Sequence, residues 1–151
     1  MKIAYNHQIF SVERFGGISR YFVELARNIS LLKENENVVK IISPLHINNY
    51  LTKDTSNLFF QGFKIPNLKG SGRICNFVNS LLAPIILNFF DLDLIHDTYY
   101  NSIKYSNSRA KKIITVHDMN HELFPDLYLR TDKTSEMKRV AIKEADHIIC
   151  V

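Results

Sequence analysis

Apolar and polar positions along the chain switch between two periods. Lys2-Ile-Ala-Tyr5 reads as a short strand. Ile18, Tyr21, Phe22, Leu25, Ile29 and Leu32 then recur at helical spacing, which predicts a helix from about Gly17 to Lys33. Glu34 to Asn37 is a polar turn. Val38 to Ser43 is a nearly continuous β-branched run, the mark of a strand buried on both faces, and Pro44 is expected to end it. His46 to Gln61 is irregular and polar and reads as a loop with room for one weak helix. Gly62 to Pro66 predicts a short strand and Gly70-Ser71-Gly72 a turn. Ile74 to Phe90 is an apolar helix with its kink expected at Pro84. Asp93 to His96 and Lys112 to His117 are strands. Asp132 to Ala145 is a helix with Asp132 as its N-cap, and His147 to Val151 begins a last strand.

Strands alternating with helices predict an α/β fold, a doubly wound and mostly parallel sheet, in one domain covering residues 1–151. Two long loops, Thr98 to Arg109 and Met119 to Thr131, follow strand ends, where long loops tend to carry function. Composition changes this picture little. The hydrophobic share is 46% and the charged share 23%, ordinary for a globular domain. A net charge of +4 permits contact with phosphate or anionic lipid. The basic residues are scattered, with one small cluster at Arg109, Lys111 and Lys112, so no nucleic-acid stripe is present. Cys75 and Cys150 lack metal-ligand spacing and fit a reducing cytosol. Asn6, His7 and Gln8 interrupt any secretory h-region, and the apolar stretch Phe77 to Phe90 is too short to span a bilayer.

Parallel sheets place ligands at the carboxyl ends of their strands. Three such ends carry candidate chemistry. Gly16 and Gly17 precede the first helix, where backbone can approach an anion closely; the alternative is a bare tight turn. The dinucleotide fingerprint G-x-G-x-x-G is absent and Ser43-Pro44 ends the second strand without an acid, which disfavours NAD. His117 and Asp118 end the Lys112 strand, where an imidazole can donate to a sugar hydroxyl or phosphate or act as acid or base; the alternative is a structural histidine. His96 and Asp97 repeat the pattern beside Tyr99 and Tyr100, which can equally make them part of a packed loop. His121 and Glu122 leave a strand rather than sit on a helix, so zinc is not expected, and no G-x-S-x-G elbow is present. Tyr99, Tyr100, Tyr105, Phe124 and Tyr128 line either a sugar or lipid groove or a loop minicore. The helix Ile74 to Phe90, flanked by Lys64, Lys69 and Arg73, is either a core helix under the sheet or a membrane-surface element, the former being favoured.

Four segments carry a family resemblance. Phe15-Gly-Gly-Ile-Ser-Arg-Tyr-Phe-Val-Glu-Leu-Ala26 resembles the first loop and helix of family 4 glycosyltransferases, the retaining GT-B enzymes. Asp93-Leu-Ile-His-Asp-Thr-Tyr-Tyr100 is similar to their fourth-strand segment, and Ile114-Thr-Val-His-Asp-Met-Asn-His-Glu-Leu-Phe-Pro125 resembles the "VHD…LFP" stretch of the mannosyltransferase-like branch. Ala145-Asp-His-Ile-Ile-Cys-Val151 is similar to the strand leading to the family's domain boundary. The resemblance implies one Rossmann-like half of a GT-B fold, the amino-terminal, acceptor-side domain. The carboxyl-terminal domain with its basic pair and E-x7-E motif, which holds most of the nucleotide-sugar, would be supplied elsewhere. It implies that Gly16 and Gly17 approach the donor diphosphate and that His117 faces the transferred sugar. Asp118 would orient that histidine, and His96, Tyr99 and Tyr100 would border the acceptor. It implies no cofactor and no metal: the donor is a substrate, with GDP-mannose the guess from the branch. The expected setting is surface polysaccharide, lipopolysaccharide or lipid-linked glycan synthesis at the inner face of the cytoplasmic membrane, peripherally bound. The chain alone is expected to be inactive, because half the cleft is absent. Two other classes stand beside this one. One is a non-catalytic glycan- or lipid-binding regulatory module: a natural stop after residue 151 would support it or a split enzyme, and an open frame with E-x7-E the enzyme. A different nucleotide-binding enzyme would bind a free dinucleotide tightly.

Overall fold

A computed structural model of the chain describes residues 1–32, 38–51, 59–101 and 109–151. The turn expected at Glu34 to Asn37 and Tyr105 lie outside the described residues, as do parts of the loops expected at His46 to Gln61 and Thr98 to Arg109. The strands assemble side by side into one six-stranded sheet: β1 (Lys2–Tyr5), β2 (Val38–His46), β3 (Phe59–Lys64), β4 (Leu94–Asp97), β5 (Lys111–Val116) and β6 (His147–Cys150). Every pairing is parallel and the order is β3-β2-β1-β4-β5-β6. This is the doubly wound, Rossmann-like arrangement, in which strand order reverses between β1 and β4.

A parallel sheet needs cover on both faces, and alternate side chains supply the two contacts. Ile3, Tyr5, Val39 and Ile41 pack under Phe22, Val23 and Ala26 of α2 (Gly17–Leu31). Their neighbours Ala4, Ile42 and Ile95 meet Ala83 and Leu87 of α3 (Ser71–Asn88) on the other face. On that same face Ile114 and Val116 pack with Ala141 of α5 (Thr134–Glu144). Two short helices, α1 (Gln8–Val12) and α4 (Asn120–Leu123), lie just past β1 and β5. Neither has an amphipathic signature. In α1, Gln8, Ile9, Phe10 and Ser11 are all buried, so polar and apolar positions are covered alike.

Several boundaries differ from the sequence expectation. β2 does not stop at Pro44 but runs on to His46. Pairing with β1 ends at Ile41, and the β3 register shifts between Ile42 and Leu45. Pro44 sits inside that irregularity, where a missing N–H disrupts little of the ladder. Asn79 of α3 compensates: its Oδ1 accepts from the Leu45 N–H at 2.8 Å and its Nδ2 donates to the Leu45 carbonyl at 2.6 Å. The expected turn at Gly70-Ser71-Gly72 is a turn only at Gly70, whose φ of 92° belongs to the left-handed region; the helix has begun by Ser71. Helix α3 continues through Pro84. Helix α5 starts at Thr134, two residues after Asp132, because the Asp132 carboxylate accepts the Thr134 N–H at 2.8 Å from outside the helix.

Candidate functional site

The reversal between β1 and β4 is where such sheets usually open a crevice. Here the chain fills it with its own side chains. Asn6 Nδ2 and Gln8 Nε2 both donate to Asp97 Oδ1 at 3.2 Å, and the Lys112 ammonium lies 3.2 Å from Asp97 Oδ2. The Thr98 N–H donates to Gln8 Oε1 at 3.1 Å, and the Thr98 hydroxyl donates to the Asn6 carbonyl at 3.0 Å and accepts from the Ile9 N–H at 3.1 Å. All these hydrogen bonds are buried. A satisfied buried network of this kind is costly to break, so it fixes the ends of β1 and β4 rather than leaving a vacancy between them.

The remaining candidate groups lie one step along the carboxyl edge, between the start of α2 and the end of β5. His117 leaves β5 half-buried and presents its ring edge-on to Tyr21 and Phe22 of α2, with centroids 5.4 and 5.6 Å away. The histidine is thus on the α2 side of the sheet, the side of Gly16 and Gly17. Its Nε2 is itself buried and has no hydrogen-bond partner among the described residues. Burial lowers its pKa, opposed by the nearby Asp118 and Glu13 carboxylates, so the imidazole is neutral at pH 7.

The Glu13 carboxylate lies against the glycine at position 16. Gly16 is extended, with φ of −171°, so backbone strain does not demand it. A Cβ at residue 16 would push aside the Glu13 carboxylate, the flexible end of that side chain, so the glycine leaves the carboxylate its place. That carboxylate accepts the Ser19 N–H at 3.2 Å and therefore sits on the amino end of α2. Free N–H groups and the helix dipole favour an anion there, and in this structure the anion is the protein's own. Around Gly17 there is open space.

Asp118 does not bond His117. Its Oδ1 accepts the Asn120 N–H at 3.0 Å and starts α4, and its influence on the imidazole is electrostatic. Its carbonyl accepts from Lys138 of α5 at 2.9 Å, and the same ammonium lies 2.6 Å from Glu122 and over the Tyr100 ring at 5.2 Å. Lys138 is only 2% exposed. It ties the segment after β5 to α5.

His96 lies beneath this rim. It is 4% exposed, its Nε2 meets the Thr115 hydroxyl at 2.8 Å, and the rings of Tyr5 and Phe22 enclose it at 5.3 and 5.1 Å. Burial, then the charge of His117, brings its pKa down to about 4. Tyr100 is also buried, packing on Ile114 and Val116, and burial pushes its hydroxyl up to about 12. Tyr99 packs against it in a tilted pair at 4.7 Å but stays half-buried; burial raises its pKa first, followed by the Asp118, Asp132 and Glu13 carboxylates. The fold therefore brings Gly16, Gly17, His117, Asp118 and Tyr99 to one rim and places His96 and Tyr100 under it. Tyr128 stacks on His121 at 3.7 Å, while Phe124 is exposed.

Glu13, Gln8, Lys112 and Lys138 shape this region but belong to no recognisable spacing in the sequence. The expectation of no metal rests on the absence of an Asp-x-Asp pair, yet Asp91-Leu-Asp93 has that spacing. The fold puts that pair at the amino-terminal edge of the sheet, where Lys2 takes both: its ammonium lies 2.7 Å from Asp91 and its N–H 2.7 Å from Asp93. Among the described residues no group of His, Cys, Asp and Glu is arranged to hold a metal ion. A cavity of ≈ 420 Å³ also opens at that amino-terminal edge, between Phe90 and Arg109, remote from the rim. Chemistry in parallel sheets belongs to the opposite edge, so the rim and not this cavity is the candidate site. Comparison of the chain with family models, curated proteins and solved structures yields no match.

Proposed function

We propose that this domain is the acceptor-side half of a retaining glycosyltransferase. It would work with a donor-binding domain to move a sugar from a nucleotide-sugar, GDP-mannose in the first instance, to a polysaccharide or lipid-linked glycan. The observation that carries this reading is the convergence of the α2 amino end, already selective enough for an anion to hold Glu13, with the unpartnered Nε2 of His117. Glycosyl transfer builds negative charge on a departing diphosphate, and preoriented backbone N–H groups stabilise such charge without reorganising. In this scheme the diphosphate replaces the Glu13 carboxylate at Gly17 to Ser19. A neutral His117, its buried Nε2 uncovered by that exchange, then donates a hydrogen bond to the transferred sugar, and Tyr99 lines the acceptor side. The nucleotide-sugar is a substrate, so the scheme calls on no resident cofactor.

The test is sugar transfer from labelled GDP-mannose to lipid and glycan extracts by this domain joined to its donor-binding half. His117→Ala should lower transfer on the order of a hundredfold or more without unfolding the protein. No transfer from any nucleotide-sugar, or transfer indifferent to His117, overturns the proposal. The competing reading is a non-catalytic glycan-binding module, and the filled anion position at α2 favours it. It would show glycan binding that neither a nucleoside diphosphate nor Glu13→Gln alters.

A further inference from the structure

Helix α3 is apolar on both sides. Cys75, Asn79, Ala83 and Leu87 face the sheet. On the opposite side Ile74, Phe77, Leu81 and Ile85 each expose more than half of their surface, with Leu82 and Phe89 flanking them. A helix that is hydrophobic all round is normally covered all round, and a contiguous exposed stripe of this size marks an interaction surface. The stripe runs the length of an 18-residue helix, about 27 Å. No described helix is long and apolar enough to cross a membrane.

Charge identifies the occupant. No Asp or Glu occurs between Asp54 and Asp91, whereas Lys64, Lys69 and Arg73 fall within that stretch. All three are exposed and gather at the amino end of α3, and no described carboxylate pairs with any of them. Beside Lys64 a cavity of ≈ 260 Å³ opens toward Arg14 and Asn67. A second copy of the chain offers a poor complement, because the acid at the far end of α3, Asp91, already holds Lys2 at 2.7 Å. Apolar side chains backed by cations that no carboxylate neutralises suit an anionic bilayer surface.

We propose that the outer face of α3 docks the domain on an anionic lipid surface, lying in its plane, with Lys64, Lys69 and Arg73 on the lipid phosphates. The amino end of α3 is at the carboxyl edge of the sheet, so docking brings the membrane to the same edge as His117. The proposal stands on the α3 surface alone and does not require glycosyl transfer.

The experiment is co-sedimentation of the 151-residue chain with vesicles of phosphatidylcholine containing about one third phosphatidylglycerol, against phosphatidylcholine alone. The chain should bind the anionic vesicles and release as salt rises. Leu81→Asp with Ile85→Asp should lower binding on the order of tenfold or more, and Lys69→Glu with Arg73→Glu on the order of fivefold per charge or more. Because the chain has no tryptophan, Phe77→Trp places a single indole in an otherwise native surface. Its emission should shift blue on anionic vesicles and be quenched by brominated acyl chains. Equal binding to both vesicle types, unchanged binding by a folded Leu81→Asp/Ile85→Asp variant, or an indole emission in the Phe77→Trp variant that ignores vesicles overturns the proposal. So does a stable dimer that the aspartates dissociate while no vesicle is bound, which would assign the face to a second copy.

Discussion

Replacing Lys138 with methionine tests whether one buried ammonium holds the candidate site in place. Methionine keeps much of the side-chain length and removes the charge. In the native structure that charge donates to the Asp118 carbonyl at 2.9 Å, pairs with Glu122 at 2.6 Å and lies over Tyr100. Breaking a buried pair costs about 3–5 kcal/mol when the remaining charge is trapped. Glu122 is not trapped, since 28% of its side chain reaches water. The loss should therefore be nearer that of a charged hydrogen bond plus one orphaned carbonyl, about 2–3 kcal/mol. For a chain of this size that lowers Tm by roughly 5–10 °C. Urea and thermal melts followed by circular dichroism measure it. A cycle with Glu122→Gln should return a coupling of about 1–2 kcal/mol. The Glu122 pKa lies below the ordinary carboxylate value although burial opposes this, because Lys138 and Ser135 hydrogen-bond its charged form. Its contribution is thus present above the unfolded carboxylate pKa and lost as pH falls through the lowered one. In Lys138→Met the His117 ring resonances should also move, since the backbone from Asp118 onward is released. A melting point within about 1 °C of native, or a coupling below about 0.3 kcal/mol, refutes the assignment.

Acid should destabilise the fold through its histidines. Burial holds His7, His46 and His96 near a pKa of about 4, while unfolded histidine titrates near 6.5. Between those values the unfolded chain takes up protons that the fold refuses. Stability is then full above about 6.5 and falls by up to roughly 1.4 kcal/mol per pH unit for each histidine as pH drops. Urea midpoints that do not move between about pH 7.5 and pH 5 would contradict this. Glu13→Gln should cost the fold only about 0.5–1 kcal/mol, as for loss of one helix-terminal charge, while strengthening calorimetric binding of pyrophosphate; unchanged or weaker binding would remove Glu13 from the anion position. His117→Ala in the complete enzyme should lower turnover on the order of a hundredfold or more with less than about 1 kcal/mol lost in stability, and a collapse of Tm instead would make His117 a structural residue.

Local pattern determined a good deal of this protein. The helical period of Ile18, Phe22, Leu25 and Ile29 announces α2, and the β-branched runs at Val38 and Lys111 announce a parallel sheet with His117 at a strand end. These are legible because burial on a face imposes a period within a dozen residues or so. What only the tertiary structure decided are the relations across long separations. Asn6 and Gln8 meet Asp97, 91 and 89 residues away, closing the crevice that the strand order would open. Asn79 takes over the hydrogen bonds of Leu45, which lets β2 run past Pro44. Glu13 occupies the helix end that the glycines make approachable, and Lys138 reaches back to Asp118 and Glu122. A single polar side chain has no period to betray it. Its partner is chosen by where the packed elements bring a donor and an acceptor within about 3 Å, which is a property of the assembled sheet.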